Sequence, residues 1–320
     1  MELNAQHMLI VSSSPHVKSG RTTQKIMLDV IIALIPALVA GCVIFGLRSL
    51  AVVAACVSSC VLAEILFNVI TKREHTIFDL SAVVTGLLLG LNLPATLPIW
   101  QAVVGSVFAI VIVKCLFGGL GKNFANPAIA ARVMMLLSFS KTMGDVVYPV
   151  ADARLFDAAT AATPLAKLAE GTLPNKSILD MLLGLRAGAL GETCIIALVL
   201  GGVYLLIRRV ITWHTPVAFI AGVYLLSLLV YGGDPVFALY MLLSGGVFIG
   251  AIFMATDYVT TPTTAWGKLI FGLGCAVLTV VIRKWAAYPE GVSFSILLMN
   301  ILTPYIEKAT IKKPLGEVKA

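Results

Sequence analysis

Residues 156–165 read FDAATAATPL and gather side-chain types that chemistry uses. There is a carboxylate at Asp157, there are hydroxyls at Thr160 and Thr163, and small alanines leave room around both. Pro164 narrows the geometry, because proline steers the residue before it out of the helical region and into extended backbone. Thr163 is therefore expected to be extended, with a hydroxyl open to a modifying enzyme. The same residues admit a structural reading: Pro164 suits the first position of a helix through PLAKLAEG, with Thr163 as its N-cap. Upstream in the same stretch, Arg154 carries a guanidinium fork that matches phosphate oxygens.

The rest of the chain is mostly apolar. Of its 320 residues, 59% are hydrophobic and 12% charged, where a soluble domain carries about 25% charged residues. A spanning helix takes roughly 20 apolar residues. Ten segments approach that length: 26–47, 50–70, 78–93, 98–117, 126–139, 191–208, 214–231, 235–254, 266–283 and 292–305. The pattern predicts an all-α polytopic membrane protein, solvated by membrane lipid. Residues 1–25 are polar and show no apolar core before a cleavage site, so they are expected to remain as an N-terminal segment.

The net charge of +7 does not point to a nucleic-acid partner, because the cations punctuate the apolar segments instead of gathering on one face. With ten crossings and an inner N-terminus, fourteen Lys and Arg residues, Lys114 and Arg208 among them, fall at inner ends and tails. The short outer connections hold Arg48, Arg283 and Lys284. By the positive-inside rule both termini are expected in the cytoplasm and 140–190 outside. The four tryptophans, at 100, 213, 266 and 285, stand at span ends, where an aromatic belt would lie. The six cysteines lie in or beside apolar spans with no CxxC pair, and they are read as packing residues with no metal to ligate.

The polar stretch 140–190 separates five spans from five. Residues 1–25 read as an inner segment, 26–139 as a first five-helix repeat, 140–190 as an outer loop, 191–305 as a second repeat and 306–320 as an inner tail. The third span (79–98) and the eighth (241–262) are each interrupted, and each holds a small pair, Gly86/Gly90 and Gly246/Gly250, that lets helices approach closely. An odd number of spans per half makes the second half enter from the opposite side, an inverted repeat whose broken helices meet at a buried site. Read without further context, such a body also suits a cofactor-free channel or transporter for a small solute.

The frame Asp-x-x-Ser/Thr-Gly/Ala-Ala-Thr around Asp157, Thr160, Ala162 and Thr163 resembles the flavinylation motif of the Rnf and sodium-pumping quinone reductase families. Position 161 is alanine where glycine is usual. SSPHVKSGRTTQKIMLDVIIALIPA (13–37), DLSAVVTGLLLGLNLPATLPIW (79–100), GGLGKNFANPAIAARVMMLLSF (118–139), GETCIIALVLGGVYLL (191–206) and FMATDYVTTPTT (253–264) resemble the same family in the same order. About twenty-five residues precede the first span, which resembles the Rnf member more than its longer counterpart in the quinone reductase.

That resemblance implies FMN joined to Thr163 by a phosphoester, with Asp157, Thr160 and Ala162 as the recognition frame and Arg154 near the phosphate. It also implies a noncovalent riboflavin, to which no residue is assigned. The expected partners are the other Rnf subunits, a flavin transferase for maturation, and ferredoxin and NAD reached through those subunits. The expected place is the bacterial inner membrane, and the cation moved is Na+ or H+. Asn92 and Asp257, at the two interrupted spans, are the candidate cation path, because broken helices expose carbonyls and dipole ends to ions.

Overall fold

The computed structural model describes residues 22–73, 76–146, 163–286 and 290–311, and every regular element within them is helical. Arg154, Asp157, Thr160 and Ala162 lie outside the described residues, whereas Thr163 lies within them.

The first half opens with α1 (Thr23–Phe45), capped by Thr22, whose hydroxyl accepts the Lys25 N–H at 3.3 Å, and stopped at Gly46 with φ 83°. α2 (Leu47–Thr71) follows and ends on Lys72 in the left-handed region. α3 (Ser81–Leu91) stops at Asn92, where Pro94 two residues on cannot extend a helix. α4 begins after Pro98 as Ile99–Val107 and continues as a π-helical stretch over Phe108–Cys115. α5 (Pro127–Ser138) has Asn126 as its cap and proline at its first turn. Among the described residues, three short helices lie between the halves: α6 (Ser140–Gly144), α7 (Pro164–Ala169) and α8 (Ile178–Leu183).

The second half runs α9 (Ile195–Ile207), α10 (His214–Val230), α11 (Pro235–Leu243), α12 (Val247–Ile249, extended by π-helical Gly250–Met254), α13 (Ala265–Trp285) and α14 (Val292–Thr310). Each of the ten apolar segments predicted from sequence coincides with one of these helices or, at 235–254, with a helix pair. The last extends five residues past its expected end, to Thr310.

By length and apolarity α1, α2 and α13 can each cross a membrane alone, and α11 with α12 forms a pair bent by 65°. α3, α4, α5, α9 and α10 are shorter apolar helices. The outward faces carry bare grease, including Val43, Leu47, Ile70 and Leu229, each at least three-quarters exposed. Phe219, Phe271 and Leu34 are fully buried between helices. Apolar side chains on both the inside and the outside mark an integral membrane protein, whose outer solvent is lipid and whose backbone polar groups are satisfied within helices. The four tryptophans are each more than half exposed at helix ends.

α1 packs on α9, α2 on α3 and α4, α10 on α11 and α13, α14 on α13, and α5 on α14. Glycines cut the notches for these crossings. A Cβ at Gly86 would stand 2.7 Å from the Val57 Cα and one at Gly90 2.9 Å from the Val53 Cα, so the pair predicted to allow close approach seats α3 on α2. On α9, a Cβ at Gly201 would collide with the Ala33 carbonyl oxygen of α1. Gly250 faces Val292 of α14 in the same way, while Gly246 sits in the break itself.

Two positions differ from expectation. Lys114, expected at the inner end of a span, and Arg283, expected at an outer connection, are only 2% and 4% exposed. Each is drawn inward by a specific partner set: Lys114 by Glu64 and Ser81, Arg283 by the carbonyls of Met241 and Ser244. Without such partners, a long cationic side chain near a helix end reaches out to the interface.

Candidate functional site

α7 exists because of two adjacent residues. Pro164 pre-sets the first helical φ, and Thr163, extended at φ −61° and ψ 151°, turns its hydroxyl oxygen onto the Ala166 N–H at 3.1 Å. Both local expectations therefore hold together: the residue is extended and it caps the helix. It is half-buried, not openly displayed. Capping uses one oxygen lone pair as acceptor and leaves the hydroxyl proton uncommitted.

Thr163 lines a cavity of about 290 Å3 shared with Asn92, Arg132, Arg186, Glu192 and Glu290. That volume stands near the lower end of the roughly 300–1,000 Å3 typical of ligand pockets. Four separate parts of the chain bring these groups together. The cap at Asn126, whose side chain accepts the Ala128 N–H at 3.0 Å, starts α5 deep in the protein and so delivers Arg132 to the interior. The break after α3 delivers Asn92. The connection from α8 to α9 delivers Arg186 and Glu192, and the one from α13 to α14 delivers Glu290. That α8–α9 connection is held against the end of α3 by backbone bonds from Leu190 N–H to Leu93 and from Gly191 N–H to Leu91, at 3.1 and 2.6 Å.

Arg132 is the hub. Its guanidinium donates to the Asn92 side-chain oxygen and to Glu290, and lies 3.5 Å from Glu192 Oε2. Arg186, 2% exposed, donates to the carbonyls of Leu243 and, at 2.8 Å, Glu192. Burial pushes the Arg186 guanidinium down to about 10, opposed by the Glu192 charge, so it stays protonated at neutral pH. Arg283 donates to Met241 and Ser244 at 2.5 and 2.9 Å, holding the carbonyls freed where α11 breaks. The break turns at Gly245, φ +69°, a left-handed conformation that glycine adopts without steric cost.

Among the described residues, three buried arginines face two carboxylates, an excess of one positive charge. Of the nine buried side-chain atoms without a hydrogen-bond partner among the described residues, six belong to this cluster or to residues beside it: Arg132 Nε, Arg186 Nε, Arg283 Nε, Glu192 Oε2, Thr193 Oγ1 and Ser244 Oγ. Native proteins leave few such atoms unpaired. Three of the six, on Arg132, Arg186 and Glu192, belong to residues that line the cavity, and unpaired polar atoms of that kind suit a polar ligand or ordered water.

The structure separates the two candidate cation residues. Asn92 belongs to this cavity, held by Arg132 and by its own bond to the Leu88 carbonyl at 2.7 Å. Asp257 lines a second cavity of about 90 Å3 at the other end of α3, together with Ser81, Lys114, Asn123 and Asn126. Met254 lies between them, 3.8 Å from Asn92 Nδ2 through its sulfur and 3.4 Å from Asn126 Nδ2 through its carbonyl. Arg132 is a lone charge within the apolar segment 126–139 and so stands out in the sequence, whereas Arg186, Glu192 and Glu290 do not. Arg186 and Glu290 stand in stretches that look like loop and Glu192 at the very start of an apolar segment, and only their burial distinguishes them.

A family model described as the NQR2, RnfD, RnfE family matches residues 10–316. The chain is 47% identical over 314 residues to the D subunit of the Na(+)-translocating ferredoxin:NAD(+) oxidoreductase complex of Acetobacterium woodii, a match covering 97% of this chain and 96% of that protein. It is 41% identical over 321 residues to the D subunit of the proton-translocating ferredoxin:NAD(+) oxidoreductase complex of Clostridium ljungdahlii, covering 95% of each. It is also 37% identical over 339 residues to the D subunit of the ion-translocating oxidoreductase complex of Marinobacter nauticus, covering 98% of this chain and 97% of that protein.

Proposed function

The chain belongs to the NQR2, RnfD, RnfE family, and we propose that it is the membrane redox subunit of an ion-translocating ferredoxin:NAD oxidoreductase complex, carrying FMN esterified to Thr163. FMN, when bound, supplies one- and two-electron transfer that no side chain of this protein offers. The observation that carries the reading is the position of Thr163 on the rim of a cavity holding buried, incompletely paired arginines. The hydroxyl proton is the atom that esterification replaces, and the cap accepts through the oxygen without needing it. Arg132 and Arg186 offer unused N–H donors of the kind that phosphate oxygens take. Glu192 Oε2 offers an unused acceptor for a ring N–H. Asp157, Thr160 and Ala162 form the frame read by a flavin transferase, and Arg154 pairs with the flavin phosphate.

Around that site we place ten crossings in two inverted repeats, 26–139 and 191–305, with both termini in the cytoplasm of a bacterium and 140–190 outside the inner membrane. The packing supports the repeat. α2 against α3 and α4 has its counterpart in α10 against α11 and α13, and the equivalent pairs α1–α9 and α5–α14 touch each other, as helices related by an in-plane pseudo-two-fold axis do. Asn92 and Asp257 remain the candidate cation path, and the ion moved is Na+ or H+, the two for which relatives are named. The partners are the other subunits of the complex, through which ferredoxin and NAD are reached; a noncovalent riboflavin belongs to the same proposal.

The test is the denatured complex on a gel under ultraviolet light, followed by the mass of the peptide covering 155–176. A fluorescent band that is lost in Thr163→Val, with an added FMN on the wild-type peptide, is the expected result. A dark wild-type band from cells competent in flavin attachment would overturn the proposal and leave a cofactor-free transporter.

A further inference from the structure

Away from Thr163, α2, α3 and α4 enclose a pair of opposite charges. Lys114 Nζ, on the π-helical part of α4, lies 2.7 Å from Glu64 Oε1 of α2 and 2.8 Å from Ser81 Oγ at the start of α3. Both charged side chains are 3% exposed. Thr76 adds its hydroxyl to the same Glu64 oxygen at 2.6 Å, and Asn68 steadies Thr76 at 3.2 Å. π-Helical turns occur frequently at functional sites.

Such a pair is a poor device for stability alone. Its desolvation penalty is comparable to its Coulombic gain, and apolar residues of similar volume commonly serve as well. Charges at depth are instead the usual mark of an ion pathway. Lys114 and Ser81 line the 90 Å3 cavity, together with the Asp257 carboxylate. Asn123 lines it too and keeps a buried side-chain oxygen without a hydrogen-bond partner. Carboxylate, hydroxyl and amide oxygens are the donors that hard cations take.

We propose that Glu64 and Ser81 form a binding site for a monovalent metal cation, and that the Lys114 ammonium is a tethered competitor that fills it until an ion displaces it. The ammonium carries the charge of such an ion and contacts the two oxygens that would coordinate it. Its flexible stem lets it withdraw into the cavity toward Asp257 when displaced. The site rests on the membrane fold and owes nothing to the flavin at Thr163.

The experiment is thermal unfolding of the purified complex in NaCl, LiCl and choline chloride at equal ionic strength, a readout in which the flavin takes no part. Wild type, whose site the ammonium already occupies, is expected to show a smaller difference among the salts than either single variant. Lys114→Met is expected to unfold several degrees lower in choline and to regain that loss in Na+ or Li+, because the small ion replaces the missing ammonium. Lys114→Gln, whose amide still reaches Glu64 and Ser81, should show the same cation-specific rise. The pair-neutral Glu64→Gln/Lys114→Met should lose it. Equal stability of both single variants in all three salts, at whatever temperature, overturns the site. So does failure of both single variants to assemble, whether or not the double variant assembles, since that outcome assigns the pair to holding helices together.

Discussion

Arg132 on α5 donates a hydrogen bond to Asn92, the residue at which α3 breaks, so the interrupted span is held by a charge, not left as a loose end. The same guanidinium reaches Glu290 and Glu192, tying the first half of the chain to the connection that leads into the second and to the one between its last two helices. The cavity beside Thr163 is thus walled by a network that also fixes the relation of the two halves.

Removal of that hub should be expensive. Arg132→Met leaves Glu192 and Glu290 facing each other without their cation, and breaking a buried pair on one side typically costs about 3–5 kcal/mol. The expected result is a large drop in the unfolding temperature or in the amount of assembled complex. Arg132→Met/Glu290→Gln, which keeps the cluster's excess of one positive charge, should recover most of the loss. Thermal unfolding of the two variants side by side checks this.

Gly86→Ala should separate α3 from α2. Its new Cβ would meet the backbone of Val57 at 2.7 Å, and backbone cannot swing aside as a side-chain tip can, so a loss of about 1–3 kcal/mol is expected from overpacking. Gly144→Ala, with nothing within 4 Å of the added carbon, is the control and should stay within about 0.5 kcal/mol of wild type.

Asn92→Leu and Asp257→Asn address the cation path at its two ends. If cations pass both cavities, each substitution should lower the ions moved per electron in reconstituted complex while electron transfer continues. Asp257 accepts from the Thr260 hydroxyl at 3.1 Å, an arrangement that Asn keeps through its carbonyl, so the loss would report on charge instead of folding. An unchanged ratio in both variants removes these residues from the path.

Much of the fold was legible because lipid demands long apolar runs, and all ten of those runs contain helix. The breaks were legible too, since Pro94 and the Ser244–Gly246 step announce themselves locally. The ion pairs were not. Lys114, Arg283, Arg186 and Glu192 look in sequence like residues of rims and loops, and only partners dozens of positions away, such as Glu64 for Lys114 or Met241 for Arg283, pull them inside. The Thr163 hydroxyl was legible as a cap from Pro164, but its place beside Arg132 depends on how α7 docks, through the buried Leu165 and Leu168, against Phe237 and Met241 of α11.

Thr163 has two duties in this account, and a pair of substitutions separates them. Thr163→Val removes both the oxygen that caps α7 and the hydroxyl that would be esterified. It should lose the flavin and also about 1 kcal/mol, the usual worth of a cap. Thr163→Asn supplies a side-chain oxygen among the best N-cap acceptors but no hydroxyl. It should keep the stability of the apoprotein while its gel band goes dark. The comparison is made by thermal unfolding and in-gel fluorescence on the same preparations. A fluorescent Thr163→Asn band would put the flavin on another residue. A dark band that unfolds as early as Thr163→Val would mean that the lost stability comes from the missing flavin, because the cap is still present.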